Sequence, residues 1–523
     1  MPFSFFFQMT SLTAVSFLGN LDRLFDRHGW AFQDELIEQY SPVVKIHSVF
    51  GRKMLYVYDA TALHEIVVKD PYTFELLKWF ASFVALVFGP GLPAIHGESW
   101  FTVVVHLTLK DRSGEQHRRQ RKLLNPVFSG NYIRNLNPVF HDIAHKVREG
   151  LLADLNGIPK EINLVKWIHG AALESIGRGG LGYSLDPSSS KFGAYGDALS
   201  AVSDSVFSLG YIRMLSPLIS LLTTPIRRLA VDFIPHAGVR KMARLSRVMD
   251  DVAREIFFAK KAAALNGEAS ENRKDIMAVL LQANMAARSE DRLSEDEIIG
   301  QMSTMAFAGT DTTTCAIAQV VDLLAQHPDI QEKLRHEITA ARNGDDLSYD
   351  ALSSWVSPTW MRSAARRFDF TLRRRLYTDM KDTVLPLSKP MRGVDGSKLS
   401  EIPVPKGTTI ALGIRGCNLN RDIWGSDARQ WKPERWLSPL PEGVKDAKIP
   451  GVYSHLMTFL GGGRACIGFK FSQLEMKVLL TVLLSSFRFT RSSDVYWNLS
   501  TFCYPSTGPD SIVPAMPITV EPL

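Results

Sequence analysis

The stretch Phe459-Leu-Gly-Gly-Gly-Arg464-Ala-Cys466-Ile-Gly468 joins three consecutive glycines to a cysteine, directly before a helical run over residues 469–484. Glycine lets the backbone adopt turn dihedrals that other residues avoid and approach a flat group closely. A cysteine near a helix N-terminus has its thiolate stabilised by unpaired amides and the helix dipole, so its pKa falls and it becomes a metal ligand. Arg464 carries a fork of donors that can hold a carboxylate through two hydrogen bonds. The stretch therefore predicts a metal-bound thiolate at Cys466.

Two other interpretations of this stretch are a phosphate-binding loop and a buried structural cysteine. No Gly-Lys-Ser or Gly-Lys-Thr follows the glycines, which excludes the phosphate loop. The spacing resembles the haem-binding signature of the cytochrome P-450 family, Phe-x-x-Gly-x-Arg-x-Cys-x-Gly. The resemblance implies haem b (iron protoporphyrin IX) as cofactor and Cys466 as the axial ligand of its iron. It also implies that Phe459, Gly462 and Gly468 form the haem-binding loop with Cys466, and that Arg464 binds a haem propionate. A thiolate ligand favours cleavage of the bond between the two oxygen atoms of O2.

A second unusual run, residues 308–313 (Ala-Gly-Thr-Asp-Thr-Thr), lies inside a predicted helix. Gly costs about 1 kcal/mol relative to Ala in a helix interior, and short polar side chains compete for backbone hydrogen bonds. Such a run indicates either a break in the helix or a functional site. Beside the cysteine loop, it resembles the distal helix of the family. The resemblance implies that Ala308 and Gly309 face the haem and that Asp311 and Thr312 relay protons to O2.

Two further runs carry weaker resemblances. The run from His117 to Phe128, His-Arg-Arg-Gln-Arg-Lys-Leu-Leu-Asn-Pro-Val-Phe, resembles the family helix that binds a haem propionate. In it Arg121 fits the pattern, whereas His117 stands where Trp is usual, and a solvated basic face is the alternative. Trp431-Lys-Pro433-Glu-Arg435-Trp436 resembles the Pro-Glu-Arg turn that supplies one arm of a buried ion-pair network in the family.

The other arm of that network, a Glu-x-x-Arg on an upstream helix, is missing from the sequence. In its place stands an Arg-rich run without an amphipathic stripe. If the third base of each codon is joined to the first two of the next from Pro358 onward, permitted codons read Tyr-Leu-Asp-Ala-Val-Cys-Arg-Glu-Thr-Leu-Arg-Leu-Tyr-Pro-Pro, which resembles the missing helix. We therefore expect a frame error over residues 358–380. Residues 97–113 interrupt an otherwise continuous pattern and resemble a short retained intron.

Composition excludes several classes of protein. With 45% hydrophobic and 22% charged residues, the chain is close to globular averages, which argues against a disordered chain or a multi-span membrane protein. The net charge of +6 is concentrated in the suspect segment 359–380, where six Arg and two Asp give +4, so no nucleic acid partner is expected. The four cysteines show no zinc or disulfide spacing, which favours a reducing compartment.

We expect a mainly α protein with a smaller β portion, the cytochrome P-450 fold, with a large helical body, small β-sheets and the haem between the distal helix and the Cys loop. Residues 22–523 are expected to form a single domain, and residues 1–21 are uncharged until Asp22 but too broken by polar residues for a clear spanning helix. They are either the remnant of a membrane anchor or a misannotated start. Helical periodicity predicts helices over residues 152–164, 250–265 and 317–334.

The predicted function is a haem-thiolate monooxygenase that inserts one atom of O2 into a small hydrophobic substrate. No flavin or nicotinamide fingerprint is present, so electrons come from outside, by resemblance from an NADPH-dependent flavoprotein reductase. The matched segments resemble those of fungal microsomal members of the cytochrome P-450 family that act in secondary metabolism, such as terpenoid or polyketide tailoring enzymes. That resemblance implies the cytosolic face of the endoplasmic reticulum membrane, and residues 214–234 are either a membrane-surface contact or a buried loop. Two alternatives are a non-catalytic pseudoenzyme, because the Glu-x-x-Arg helix is missing, and an O2-independent haem-thiolate isomerase.

Overall fold

The computed structural model of the protein describes residues 18–71, 73–92, 113–185, 193–209, 212, 215–220, 226, 229, 233–266, 275–354, 376–499 and 503–523. Most of residues 1–21, 97–113 and 358–380 lie outside the described residues. The α-helices, in chain order, are α1 (Leu21–Leu24), α2 (Trp30–Gln39), α3 (Ala60–His64), α4 (Lys78–Phe88), α5 (Ser113–Leu124), α6 (Gly130–Ile133), α7 (Asn137–Leu155), α8 (Leu164–Ser175), α9 (Gly193–Ser208), α10 (Ser216–Ser220), α11 (Ala237–Leu265), α12 (Ile276–Ala286), α13 (Glu295–Gln326), α14 (Pro328–Arg342), α15 (Tyr349–Ser354), α16 (Ile414–Asn418), α17 (Arg421–Trp424), α18 (Glu442–Asp446) and α19 (Phe469–Ser486).

In the described part of the chain, the β-strands form four small sheets. They are β1 (Val43–His47), β2 (Lys53–Val57), β3 (Phe74–Leu76), β4 (Lys160–Asn163), β5 (Leu376–Asp379), β6 (Thr383–Arg392), β7 (Lys398–Val404), β8 (Thr409–Leu412), β9 (Phe487–Arg491), β10 (Tyr496–Leu499), β11 (Cys503–Ser506) and β12 (Pro517–Pro522). Their orders are β1-β2-β8-β5-β3, β4-β12-β9, β6-β7 and β10-β11. The expected architecture, mainly helical with small sheets, is confirmed.

One compact unit, residues 1–77, 356–466 and 496–505, contains the five-stranded sheet. Strands β1 and β2 pair antiparallel, with Ile46 opposite Met54, and β2 pairs parallel with β8. Alternate residues of β2 enter different cores: Leu55 and Val57 belong to one hydrophobic cluster, Met54 and Tyr56 to another. Because both faces are covered, these strands read as nearly continuous apolar runs.

The other compact unit, residues 78–355, 467–495 and 506–523, is mostly helical. Its longest helix, α13, starts with the predicted capping box, in which the Ser294 hydroxyl accepts from the Glu297 amide and the Glu297 carboxylate accepts from the Ser294 amide. The Glu297 carboxylate also accepts from Arg119 of α5 at 2.7 Å. Burial opposes the charge on Glu297, but these hydrogen bonds and those from Gln116 and Gln120 hold its pKa below the usual value. One carboxylate thus fixes both the start of α13 and the position of α5.

The expected helix over residues 152–164 is wrong. Helix α7 ends at Leu155 because Asn156 takes the left-handed conformation at φ 50° and Gly157 follows at φ 77°. Asn and Gly adopt this conformation most readily and end helices for that reason. The chain then continues as β4, which pairs with β12 near the C-terminus. The expected helix over 317–334 is two helices, since the chain breaks at His327 before Pro328.

Among the described residues, no helix is long and apolar enough to span a membrane.

Gly300 in α13 lies against the backbone that follows α4. A β-carbon at this position would come within 2.8 Å of the Gly91 nitrogen and 2.9 Å of the Pro90 nitrogen. Backbone atoms cannot move aside as a flexible side chain can. The close approach therefore requires glycine, although Ala has the higher helix propensity.

We expect Gly300→Ala to lower the unfolding midpoint, because overpacking costs about 1–3 kcal/mol and exceeds the gain in helix propensity. Gly170→Ala in α8 is the matched control, since no atom lies within 4 Å of a β-carbon there. That variant should be neutral or stabilised by up to about 1 kcal/mol. Circular dichroism melting at one scan rate measures both, and equal midpoints for the two variants would refute the packing argument.

Candidate functional site

The cysteine loop is a chain of tight turns that ends in α19. A 3-10 turn over Met457–Phe459 precedes Leu460, which has φ 57°, and a second 3-10 turn spans Gly462–Arg464. The amide of Cys466 donates to the Phe459 carbonyl at 2.9 Å and closes the loop. Cys466 is partly exposed and forms no disulfide, and it lies three residues before α19 begins at Phe469.

Two glycines of this loop, Gly461 and Gly462, pack so closely against other backbone segments that no side chain fits. A β-carbon at Gly462 would lie 1.8 Å from the Val67 carbonyl oxygen, and one at Gly461 would lie 1.6 Å from that of Pro450. Gly462 also has a left-handed φ of 63°. Gly463 differs, because no atom lies within 4 Å of a β-carbon there. Close approach was predicted for these glycines, but for Gly461 and Gly462 the neighbour is the protein backbone.

Asn418, at the end of α16, anchors the first turn of the loop. Its side-chain oxygen accepts from the Met457 amide at 2.8 Å, and its side-chain nitrogen donates to the Thr458 hydroxyl at 3.0 Å. Asn418 is 1% exposed and Thr458 is fully buried. No sequence pattern indicated this contact, because the two segments are distant in the chain.

The loop fits the thiolate ligand of a haem iron. Its sulfur is not in a disulfide, is partly accessible, and lies just ahead of a helix N-terminus that stabilises the thiolate form. One soft sulfur donor suits an iron whose other ligands come from a macrocycle. Phe459 is buried, Arg464 and Gly468 are half-buried, and Gly463 borders open space.

Helix α13 exposes a short window in an otherwise buried helix. Every residue from Glu297 to Ala325 is buried except Ala308, Gly309, Asp311 and Thr312, which are the four residues selected from the sequence. The helix runs through this window without a break, so the alternative of a helix break is wrong. The hydroxyls of Thr310, Thr312 and Thr314 donate to the carbonyls of residues 306, 308 and 310 at 2.6–2.8 Å. These bonds satisfy the hydroxyls within the helix.

Asp311 has a basic neighbour that the sequence did not reveal. One carboxylate oxygen lies 3.5 Å from Nε2 of His169 in α8. The same nitrogen lies 3.4 Å from the Ser200 hydroxyl of α9. The side chain of Asp311 is 15% exposed and that of His169 is 24% exposed. Nε2 of His169 therefore lies within 3.5 Å of proton-carrying groups on two other helices, one of which is Asp311 at the window.

His117 and Arg121 are half-buried and lie one helical turn apart on α5, hence on the same side of it. Gln116, Arg119 and Gln120 of the same helix contact Glu297 instead. Helix α5 thus has polar side chains engaged in internal contacts, while its Arg118 and Lys122 are exposed.

Arg435, in the turn that resembles Pro-Glu-Arg, is a buried arginine with an incomplete set of partners. Its guanidinium donates to the carbonyls of Trp424 and Asp427, each at 3.0 Å, and pairs with the Asp427 carboxylate at 2.6 Å. Its Nε has no hydrogen-bond partner among the described residues. The Glu-x-x-Arg arm that would complete the network was expected within residues 358–375, outside the described part.

Glu475 of α19 is a buried carboxyl that sequence reasoning missed. It is 3% exposed and lies beside the hydroxyls of Ser175 in α8 and Thr313 in α13. Burial raises its pKa well above the usual value, and the two hydroxyls offset only part of the shift. The sequence signal for this buried group would have been a glutamate within an apolar face of the helix predicted over residues 469–484.

Comparison with known proteins gives a consistent result. A model of the cytochrome P450 family matches residues 10–355 and 382–501. Cytochrome P450 monooxygenases 91 and 219 of Postia placenta are 45% and 42% identical to the chain, covering 97% and 96% of it and 92% and 91% of their own lengths. A ganoderic acid synthetase of Ganoderma lucidum is 39% identical over 97% of the chain and 92% of its own length.

We expect Glu475→Gln to change how stability depends on pH. The raised pKa means that the folded state holds a proton that the unfolded state releases, so this contribution is complete at low pH and is lost as pH rises from the unfolded pKa to the folded one. Gln carries no such dependence. The midpoint of the variant relative to wild type should therefore increase from pH 5 to pH 8 in thermal melts. A difference that does not vary with pH would show that Glu475 is not held neutral.

Proposed function

The chain belongs to the cytochrome P450 family, and we propose that Cys466 holds its haem iron while Asp311 and Thr312 deliver the protons that O2 cleavage consumes. The relatives are fungal monooxygenases, so the enzyme is a haem-thiolate monooxygenase of secondary metabolism with haem b as cofactor, O2 and an organic substrate as reactants, and an external redox partner. The relatives give no support to a non-catalytic chain or an O2-independent isomerase.

The accessible window of α13 is the observation that carries the proposed roles. Burying a polar group without a hydrogen bond is costly, and an acid and a hydroxyl in a buried helix therefore need a reason. Asp311 and Thr312 are both accessible at the window, and adjacent positions place them within reach of the same reactant. Ala308 and Gly309 complete the window with small residues, and a β-carbon at Gly309 would lie 3.3 Å from Cδ1 of Ile176. That both face the haem is proposed from the resemblance.

When bound, the haem supplies the iron at which O2 is reduced and split. The chain supplies the proton path. The Thr312 hydroxyl donates to the Ala308 carbonyl at 2.6 Å and can turn to donate a proton outward instead. Asp311 can replace that proton, and His169, at 3.5 Å, can in turn recharge Asp311 from the more exposed side.

The remaining haem-binding roles are proposed from the resemblance and from placement. Arg464 supplies the fork that binds a propionate, and Arg121 with His117 supplies a second set of donors. Phe459, Gly462 and Gly468 shape the loop around the sulfur.

The substrate is proposed to be a hydrophobic secondary metabolite such as a terpenoid or polyketide. Phe307, directly before the window, stacks on Phe88 at the end of α4 with ring centroids 4.6 Å apart. An aromatic pair beside the reacting position favours apolar ligands. The electron donor is proposed to be an NADPH-dependent flavoprotein reductase, because the sequence has no flavin or nicotinamide motif of its own. With that donor, we place the enzyme at the cytosolic face of the endoplasmic reticulum membrane.

We also propose that the sequence carries a frame error near residues 358–380 and a retained intron over 97–113. The family match omits residues 356–381, and the buried Nε of Arg435 lacks a partner among the described residues; both support the frame error. Strand β5 pairs with β3 and β8 in regular register, so we place the end of the error before Leu376. The family match runs through residues 97–113, so that proposal rests on the sequence pattern alone.

Thr312→Ala should uncouple O2 use from product formation, with NADPH consumed and H2O2 released, and Asp311→Asn should slow turnover by roughly 10²-fold. Thr314→Ala is the control, since its hydroxyl makes the same kind of bond to the Thr310 carbonyl but is buried. Product formed per NADPH, measured with the reconstituted reductase, distinguishes them. Equal coupling in the Thr312 and Thr314 variants would exclude the proton role.

The carbon monoxide difference spectrum of the dithionite-reduced protein tests Cys466 and the frame proposal together. We expect the frame-corrected chain to give the red-shifted Soret band of a thiolate ligand and its Cys466→Ser variant to lack it. The chain with the present sequence should give a smaller band, because Arg435 lacks its partner. A full thiolate band from the present sequence would show that the missing helix is not needed for haem binding.

A further inference from the structure

We propose that His141, His145 and Asp346 form a binding site for one transition-metal dication, with Zn²⁺ as its best-suited occupant. The site uses none of the residues assigned to the haem or to proton delivery.

The three side chains converge from two neighbouring segments of the helical unit. His141 and His145 lie one turn apart on α7, and Asp346 follows α14 after a turn through Asn343 and Gly344, which both have positive φ. One ligand atom from each side chain lies within 4.8 Å of the other two. Nε2 of His145 is 2.9 Å from both Asp346 oxygens, and Nδ1 of His141 is 3.4 Å from one of them. Atoms that share a tetrahedral ion are separated by similar distances, because each lies about 2 Å from the metal.

His141 is held in the orientation that a metal ligand requires. Its Nε2 lies 3.0 Å from the Leu347 carbonyl, and since a carbonyl only accepts, Nε2 carries the proton. A neutral ring then has its lone pair on Nδ1, which is buried without a hydrogen-bond partner and faces Asp346. Two acceptors facing each other at 3.4 Å repel, and a cation bound between them would remove this repulsion. Metal-bound histidines characteristically donate their other N–H to a backbone carbonyl in this way.

Arg342 is the competing cation. One of its nitrogens lies 3.3 Å from the Asp346 carboxylate, while the others donate to the Asp345 carbonyl and the Ser485 hydroxyl. Its positive charge lowers the affinity for a dication, so we expect reversible binding that a chelator removes. Its Nη2 lies on Oδ1 of Asp346, the same oxygen that faces Nδ1 of His141 at 3.4 Å, so a bound ion would share this oxygen with the guanidinium.

The donor set selects the metal. Two imidazole nitrogens and one carboxylate suit Zn²⁺, Co²⁺ or Ni²⁺ rather than Mg²⁺ or Ca²⁺, which prefer oxygen ligands. His141 is 5% exposed, whereas the side chains of His145 and Asp346 are 25% and 37% exposed, so a water can supply the fourth ligand. A bound ion would tie α7 to the segment after α14 and stabilise the folded state by mass action.

The test uses the haem-containing enzyme, stripped with a chelator and desalted. Zn²⁺ retained per protein after gel filtration and the shift of the melting midpoint on adding ZnCl2 or MgCl2 are the two readouts, and neither depends on turnover. We expect one Zn²⁺ per chain and a midpoint raised by Zn²⁺ but not by Mg²⁺. His145→Gln and Asp346→Asn should lose both effects while keeping the carbon monoxide spectrum of the parent, which shows that they fold.

His336→Gln is the matched control. His336 is an exposed histidine of α14 that lies 3.3 Å from Glu332. It thus has a carboxylate neighbour, but no second histidine lies beside it among the residues that the structure describes. This variant should bind Zn²⁺ as the parent does. The site is refuted if the parent retains no Zn²⁺, if Mg²⁺ raises the midpoint equally, or if the loss in His336→Gln equals that in His145→Gln. Should the site variants fail to fold, the parent's Zn²⁺ stoichiometry and metal preference still decide.

Discussion

The close approach of the Gly462 backbone to the Val67 carbonyl is the constraint on which the cysteine loop depends. Gly462 adopts a left-handed φ of 63° as the first residue of the second 3-10 turn, and the Cys466 amide donates to the Phe459 carbonyl at 2.9 Å. Asn418 holds the other end of the loop. The proposed role of Cys466 as an iron ligand requires a sulfur at a fixed position, and contacts on both sides hold the loop that carries it. The motif is therefore a packing motif as well as the proposed ligand motif.

Helix α13 meets the opposite constraint, because it carries polar groups through a buried region. The hydroxyls of Thr310, Thr312 and Thr314 each donate to a carbonyl one turn earlier, which satisfies these three donors within the helix. Between Glu297 and Ala325, only Ala308, Gly309, Asp311 and Thr312 are accessible. A hydroxyl bonded in this manner can still donate its proton to a reactant. Rotation of the side chain breaks one hydrogen bond to the carbonyl, at a net cost of about 1 kcal/mol. Stability of the helix and reactivity at the window are thus compatible.

The features that could be predicted from the sequence are those set by residues close together in the chain. Phe459 to Gly468, the capping box of Ser294 and Glu297, and the run 308–313 are all local, and the structure places them as expected on a loop and a helix. His169, Asn418 and Glu475 were missed because each meets its partner only through tertiary packing. The helix expected over residues 152–164 failed for a different reason: its apolar spacing was correct, but the left-handed preference of Asn156 and Gly157 outweighed periodicity. The apolar residues expected on one helix are therefore divided between the end of α7 and strand β4.

The cysteine loop and the Pro-Glu-Arg turn differ in how far their contacts depend on residues 358–380, the segment of the proposed frame error. The contacts that shape the loop come from Val67, Pro450 and Asn418, all outside that segment. Arg435, by contrast, compensates its charge with Asp427 and two carbonyls and leaves Nε buried and unmet among the described residues. An unmet buried donor costs about 1–3 kcal/mol. A defect in the segment should therefore appear first as lower stability around Arg435, while the geometry at Cys466 is retained in the molecules that fold.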